Sequence, residues 1–328
     1  MKIITTCLLM LILQNVSMVY GGITRKAIYD SDGNENYIFY KDRKEIAKQI
    51  LDILGENVIK TVGKIPDGMV KEYYNTGGLN CEWRYVANKL EGISREYNKN
   101  GNLRYEWNYM DGKLGGISRE YYNCRSGRGK IKAEFIFKKG KMEGVYREYY
   151  ENGKLMKEGS YENDLLEGIV KQYYESGDLK VLCNYKNGRL EGISNKYTES
   201  GTLKGKWNYK DNKLAGISEE YYESGKLRTL CNYIDDKLEG ICKEFYESGQ
   251  IRGIWNYKDG KRVGLFKTYY KSGEIMSEIN FKDNKIEGMA LEYYKDGLNK
   301  AISIYEKGKI VRRSAYSESG ALLMDKGY

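Results

Sequence analysis

Glycine recurs every 24 residues along most of this chain, and this period constrains the fold more than any other feature. The glycines that begin successive units are Gly68, Gly92, Gly116, Gly144, Gly168, Gly192, Gly216, Gly240, Gly264 and Gly288. One interval is longer by four residues, because an insertion falls in residues 123–130. A fixed period of this size indicates a repeat architecture, in which small supersecondary units stack on one another.

Each unit predicts two strands and two turns. In the unit at Gly240, residues 241–246 and 251–257 are rich in aromatic and aliphatic side chains, whereas residues 247–249 and 258–260 are turn sequences that end in glycine. Tyrosine favours strands and glycine accepts the left-handed backbone of tight turns. The 33 tyrosines, 38 glycines and single proline agree with many short hairpins. We therefore predict an all-β fold, an elongated tandem β-hairpin array that forms a single sheet.

The turn type decides which side chains share a face of this sheet. A two-residue turn at Asp-Gly competes with a three-residue turn that is closed by a glycine bulge, and we favour the bulge. This register pairs Phe245 with Ile251 and Ile241 with Trp255. It places the first Ile, the first Tyr, the Trp and the last Tyr of each unit on one aromatic face, and the Glu, the second Tyr and the Asn on the other.

The aromatic face supplies the candidate binding residues, because Trp, Tyr and Arg dominate many binding interfaces. All four tryptophans occupy one equivalent position of the repeat. Two arginines of the long insertion are added because that loop projects beyond its neighbours. The candidate binding residues are Trp83, Trp107, Trp207, Trp255, Tyr197, Tyr221, Tyr269, Arg125 and Arg128. A structural role for the tryptophans, filling the groove of a twisted sheet, is the alternative.

The segments that flank the repeats differ from them in sequence. Residues 1–21 have the charged start, short apolar run and small-residue site of a signal peptide. Residues 22–67 are predicted to cap the repeats, with one short helix where Asp42 and Glu45 form a capping box and Gly55 ends the helix. The ten 24-residue repeats occupy residues 68–311, and residues 312–328 form a degenerate C-terminal capping repeat. We expect an exported chain, whether periplasmic, cell-surface or secreted.

The consensus Gly-Ile-Ser-Arg-Glu-Tyr-Tyr-Glu-Ser-Gly-Lys-Leu, followed by Asn-Tyr-Lys-Asp-Gly-Lys-Leu-Glu-Gly, resembles the variant MORN repeat of bacterial proteins, including YwqK-family antitoxins. The resemblance covers Gly68 to about Gly320. It implies a MORN-like single sheet, together with the protein scaffolding and phospholipid binding credited to MORN repeats. It implies no catalytic residue. The signal segment disagrees with the role of a cytoplasmic antitoxin.

The residue chemistry argues against an enzyme. The chain has no histidine, which is the commonest general base and metal ligand. Its glutamates recur at one repeat position, as solubilising side chains do, rather than as a unique pair with separated pKa values. No metal-ligand spacing is present, and we expect neither a metal nor a cofactor. Cys231 and Cys242 are predicted to point to opposite faces, so we expect no intramolecular disulfide among Cys81, Cys124, Cys183, Cys231 and Cys242.

The net charge of +9 leaves the class of partner open. Basic residues recur on the predicted aromatic face, at Lys71, Arg95, Arg119, Arg147, Lys171, Lys243 and Lys267. Cations that alternate with aromatic rings can bind anionic lipid, acidic glycan or nucleic acid. We favour packing of their stems over neighbouring rings, because adjacent glutamates nearly balance the charge. Nucleic acid is not expected as a partner.

These observations favour a non-enzymatic binding or scaffolding protein. A single layer of hairpins cannot bury its aromatic face as a normal core is buried, so that face needs a partner. The partner is a second protein, another copy of the chain, or the cell envelope through a glycan or an anionic lipid surface. A glycan-binding or cell-envelope-binding array is the first alternative function. An antitoxin of a toxin-antitoxin pair is the second.

Overall fold

The computed structural model describes residues 22–31, 33–52, 54, 57–123 and 129–328. All regular secondary structure within these ranges is β-strand. The predicted signal peptide, together with Cys124, Arg125 and Arg128 of the insertion, lies outside them. The described chain divides into two compact units, the first ending at Gly153 and the second beginning at Lys154.

The first unit is one sheet: its first four strands pair antiparallel in chain order, the first strand also pairs parallel with the fifth at Ile23 and Val70, and from the fifth strand on each long strand pairs antiparallel with the next long strand. Its strands are β1 (Ile23–Tyr29), β2 (Glu35–Lys41), β3 (Lys44–Leu51), β4 (Val58–Gly63), β5 (Gly68–Tyr73), β6 (Leu79–Val86), β7 (Lys89–Leu90), β8 (Gly92–Tyr97), β9 (Leu103–Met110), β10 (Lys113–Leu114), β11 (Gly116–Tyr121), β12 (Ile131–Lys138), β13 (Lys141–Met142) and β14 (Gly144–Tyr149).

The second unit is a sequential antiparallel array. Its strands are β15 (Leu155–Glu162), β16 (Leu165–Tyr173), β17 (Leu179–Lys186), β18 (Arg189–Leu190), β19 (Gly192–Tyr197), β20 (Leu203–Lys210), β21 (Lys213–Leu214), β22 (Gly216–Tyr221), β23 (Leu227–Ile234), β24 (Lys237–Leu238), β25 (Gly240–Phe245), β26 (Ile251–Lys258), β27 (Lys261–Arg262), β28 (Gly264–Tyr269), β29 (Ile275–Lys282), β30 (Lys285–Tyr293), β31 (Asn299–Glu306), β32 (Lys309–Tyr316) and β33 (Leu322–Gly327).

The predicted short helix is wrong, because residues 44–51 form strand β3. Asp42 and Arg43 have positive φ angles and make the turn before β3, rather than the cap of a helix. The buried residues of β3 are Ala47, Gln49 and Leu51, which alternate along the strand as one face of a sheet does. The first repeat is therefore capped by four additional strands.

The two turns of the repeat have different geometries. The first turn has three residues, and the pairing of Phe245 with Ile251 is confirmed. The second turn has two, because Lys258 pairs with Lys261 across Asp259 and Gly260, which both have positive φ angles. This is the primed two-residue turn that matches the twist of the flanking strands. Our preference for the three-residue turn at this position was wrong.

A β-bulge on the second strand of the hairpin corrects the predicted faces. Phe245 pairs with Ile251 but Glu244 pairs with Gly253, so Arg252 is the extra residue. Ile241 therefore pairs with Asn256, and Cys242 takes the predicted place of Ile241 opposite Trp255. A shift of one residue moves a strand's side chains to the other face.

The first Ile, the basic residue two positions later and the first Tyr consequently share one face with the Asn. We call this side the isoleucine face. The tryptophans, the last Tyr and the recurrent Glu lie on the other side, which we call the tryptophan face.

The same register overturns the expectation that Cys231 and Cys242 point to opposite faces. Thr229 pairs with Glu244 and Leu230 with Lys243, which places the two cysteines opposite each other on β23 and β25. Their Cα atoms are 4.2 Å apart and their sulfurs form a disulfide. Cys81 and Cys183 are free and buried.

Candidate binding surfaces

The tryptophan face is the packed side of the sheet. Val170 is fully buried on this face, whereas its neighbour Ile169 on the isoleucine face is 61% exposed. The equivalent residues Ser94, Ser118 and Phe266 are buried as well. The side of the sheet that carries the tryptophans therefore buries the smaller residues beside them.

Two of the predicted binding tryptophans lie along their own strand. The indole of Trp207 lies over Gly205 and that of Trp255 over Gly253, so that a methyl group added at either glycine would overlap the ring. Glycine leaves a strand without a side chain to pack, and here the indole fills that space. Trp107 stacks on Tyr105 in the corresponding way, with ring centroids 4.7 Å apart.

The predicted tyrosines Tyr197, Tyr221 and Tyr269 lie on the isoleucine face, and not with the tryptophans. The register thus separates the predicted site into two surfaces. The Tyr221 hydroxyl donates to a Glu219 carboxylate oxygen at 2.6 Å. Burial, followed by this hydrogen bond, raises the pKa of Tyr221 to about 12. The hydroxyl is therefore protonated at neutral pH.

A ladder of aliphatic side chains runs along the isoleucine face of the second unit, one in each repeat. Their exposed fractions lie between 46% and 61%. The ladder consists of Ile169, Ile193, Ile217, Ile241, Leu265 and Met289. About half of each of these side chains is therefore open to solvent. The sequence showed the ladder, but the predicted register placed it among the tryptophans.

Charges on the isoleucine face are mostly paired. Lys171 lies 3.4 Å from Glu158, and Lys267 lies 2.7 Å from Glu278. Lys243 differs, because its cross-strand neighbours are Leu230 and Ile254. No ion pair of Lys243 occurs within the described part of the chain. Leu230, Ile241, Lys243 and Ile254 form what we call the Lys243 patch, an apolar area with one unneutralised cation.

A second candidate site is a cleft of about 530 Å³ in the first unit. It lies between the segments of β3 and β4 and the second turns of the first repeats, and its lining includes Gln49, Val58, Trp83 and Tyr109. The adjacent core contains Phe39 and other residues that pack against the tryptophan face of the first repeat.

Arg25 is a buried polar residue that lines this cleft, and it is only 6% exposed. Its guanidinium lies between two rings, 3.9 Å from the centroid of Tyr37 and 4.0 Å from that of Trp83. The Nε group donates to Glu72 Oε2 at 3.0 Å, and Nη1 donates to the Tyr85 hydroxyl at 3.0 Å. The indole N–H of Trp83 donates to the same Glu72 oxygen.

Burial governs the ionisation of the groups around Arg25. Burial raises the pKa of Tyr37 to about 12 and also raises that of Tyr85. Burial alone would lower the pKa of Arg25, but Tyr85 and Glu72 around the guanidinium outweigh it and raise the pKa. Arg25 is therefore a permanent cation in a largely apolar setting.

No group of three or more acidic or cysteine side chains within the described ranges is arranged to hold a metal ion. Nor do those ranges contain a helix with the length and apolar character needed to cross a membrane.

A family described as MORN repeat variant matches seven segments of the chain, at residues 90–111, 142–163, 166–187, 190–211, 214–235, 238–259 and 262–283. No curated protein matches the chain. Among solved structures, the Photorhabdus luminescens Tc holotoxin pore aligns with 92% of this chain and 17% of that chain, at 10% identity and a TM-score of 0.16. This chain thus spans less than a fifth of that chain's length.

Proposed function

Because this chain belongs to the MORN repeat variant family, we propose that it is an exported, non-enzymatic scaffold that binds a protein partner on the isoleucine face of its second unit. The observation that carries the proposal is the exposed aliphatic ladder from Ile169 to Met289. Contiguous exposed apolar surface of this kind marks interaction sites in soluble proteins. The packed tryptophan face offers less free area, so the proposal moves the contact surface away from the tryptophans.

The Lys243 patch specifies the chemistry of the partner. Lys243 is flanked by Leu230 and Ile254 and lacks the glutamate that neutralises Lys171 or Lys267. A partner segment that places an acidic residue between apolar ones would pair with Lys243 and cover the ladder at the same time. Rim charges of this sort steer association and fix register more than they add affinity.

Binding is tested with an immobilised chain and an extract of the cell envelope. A specific partner should be retained by the wild-type chain and lost with Ile241→Glu or Lys243→Glu. Val62→Glu is the matched control, because Val62 is a comparably exposed aliphatic strand residue of the first unit. Retention by Ile241→Glu would contradict the proposed surface. Recovery of a polysaccharide instead of a protein would favour the glycan-binding function.

Export is tested separately from binding. The signal-like residues 1–21 predict that the mature chain begins at Gly22 and is found outside the cytoplasm. N-terminal sequencing of the chain from each cell fraction measures both properties. An intact Met1 on a chain that stays in the cytoplasm would contradict export and would favour the alternative function, that of an antitoxin.

A further inference from the structure

We propose that the Arg25 cleft of the first unit is a binding site for a small organic carboxylate with a flat apolar body. The inference is independent of the protein-binding surface, which lies in the other unit. A volume of about 530 Å³ falls within the range of about 300–1,000 Å³ that is typical of small-molecule sites. Such sites combine apolar walls with a few convergent polar groups, and the cleft has both.

The unused donors of Arg25 supply the recognition of an anion. A guanidinium has five N–H donors in one plane. One of them donates to Glu72 and a second to Tyr85. Within the described residues, the remaining donors have no acceptor, and the side chain lines the cleft. Nη2 is not among the buried atoms that lack a partner, so it is open to solvent on a residue that lines the cleft, and a ligand oxygen can accept its hydrogen bonds.

The rim of the cleft adds positive charge. Lys60, Lys89 and Lys113 line it, together with Asp111 as the one acidic residue among the lining residues described. Asp111 forms an ion pair with Lys89. Lys60 and Lys113 have no ion pair in the described ranges, and the Arg25 charge is balanced by Glu72. The cleft therefore has a positive balance that favours an anionic ligand.

The walls define the rest of the ligand. The rings of Trp83, Tyr85 and Tyr109 line the cleft with the aliphatic side chains of Leu51 and Val58. A flat apolar body can stack between such walls, because aromatic rings prefer offset or edge-on contacts with other rings. A planar carboxylate matches the planar guanidinium fork, whereas a compact phosphate would leave the apolar walls in contact with water.

The binding experiment is isothermal titration calorimetry of the whole chain with three probes. Naphthalene-2-carboxylate presents both features of the ligand, naphthalene-2-carboxamide keeps the flat body without the charge, and inorganic phosphate keeps the charge without the body. We expect the carboxylate to bind at least about tenfold more tightly than either of the others, because it alone makes a charge-assisted bidentate contact and an apolar contact.

Variants assign the binding to the cleft. Arg25→Gln should weaken carboxylate binding by at least about tenfold, since it removes the charged donor group. Val58→Trp should block the cleft while every charge remains, and it decides the question if Arg25→Gln leaves Glu72 unpaired and fails to fold. Lys60→Gln should weaken binding about two- to threefold, as expected for an exposed charge. The matched control Lys138→Gln, outside the lining, should bind as the wild type does.

Each outcome decides the proposal. Preference for the carboxylate, with loss in the cleft variants and none in Lys138→Gln, supports it. Equal affinity for the amide, equal affinity for phosphate, unchanged affinity of Val58→Trp, or no binding of the carboxylate at millimolar concentration would each overturn it.

Discussion

The phenolic hydroxyl of Tyr222 donates a hydrogen bond to the backbone carbonyl oxygen of Phe245, in the next repeat, at 2.7 Å. The second tyrosine of other repeats makes the same bond at 2.6–2.9 Å, from Tyr74, Tyr122, Tyr174, Tyr246, Tyr270 and Tyr294. Basic side chains of the bulge lie over some of these rings, as Arg252 does over Tyr246. One side chain thus ties each of these hairpins to its successor.

The first prediction concerns this bond. Tyr222→Phe should lower the free energy of unfolding by about 1 kcal/mol, because the ring remains while one hydrogen bond is lost. Urea denaturation followed by circular dichroism measures the change. Tyr29→Phe is the control, since Tyr29 is 71% exposed, and it should be neutral. Equal stability of the two variants would mean that the Tyr222 bond contributes nothing.

The second prediction concerns Gly205 beneath Trp207. Gly205→Ala should destabilise the chain by about 1–3 kcal/mol, because the added methyl group overlaps the indole. The penalty should shrink in a Trp207→Leu background, which a double-mutant cycle measures. Gly78→Ala is the matched control, because the nearest heavy atom to its added methyl group is 4.0 Å away. An equal penalty in both backgrounds would show that the ring is not the cause.

The third prediction concerns the disulfide between Cys231 and Cys242. Mass spectrometry of a non-reduced digest should find the two peptides linked. Replacing both cysteines by serine should cost about 2–3 kcal/mol, as expected for a cross-link between residues separated by 11 positions. Dithiothreitol should lower the Tm of the wild type and leave that of the double variant unchanged. Free thiols at both positions in the oxidised chain would contradict the assignment.

The fourth prediction concerns Asp325 on the last strand. Hydrogen bonds from Arg312, at 3.0 Å to Nε, and from Ser314 lower the pKa of Asp325 to about 2 from its ordinary value of 3.8. A depressed carboxyl pKa stabilises the folded state above the ordinary value, and this stabilisation is lost as the pH falls towards the folded value. Amide protection of β33 should therefore decrease between about pH 4 and pH 2.

Asp325→Asn is the control for the pH dependence. It keeps a polar side chain of the same size but has no carboxyl to titrate, so protection of β33 should be low and nearly constant over this pH range. Hydrogen exchange measured by NMR spectroscopy gives both profiles. A pH-dependent loss of the same size in Asp325→Asn would assign the effect to another group.

The sequence predicted the repeat, the hairpins and the first-turn pairing of Phe245 with Ile251, because glycine and tyrosine fix local geometry. The prediction of which side chains share a face was wrong from Arg252 onwards. A bulge there shifts the pairing by one residue, and no distinctive residue type marks such a bulge in the sequence. The predicted helix was wrong because Ile46 and Ile50 have the spacing of a helix face. The residues that the structure buries are Ala47, Gln49 and Leu51, which alternate as one face of a strand does.

The Arg25 site was missed for a different reason. Its partners Glu72 and Tyr85 are 47 and 60 residues away along the chain, and Tyr37 and Trp83 complete it from separate strands. No local pattern brings these residues together. The sequence of β1 gave no signal either, because Arg25 and Lys26 are adjacent cations in a strand without alternation and only Arg25 is buried.

The bulge that recurs in each described repeat hairpin determines which side chains of the second strand lie on which face of the sheet. The tryptophans lie on one face and the isoleucines on the other because one residue of the second strand, such as Arg252, bulges out and is left unpaired. Deletion of the bulged residue itself would leave Trp255 opposite Cys242, but deletion of a paired residue such as Ile254, with the bulge kept, would turn Trp255 onto the face of Ile241. Gain or loss of a whole repeat leaves each side chain on its face, as does an insertion within a hairpin loop. A lineage of such chains can therefore change in length by complete repeats while both surfaces are preserved.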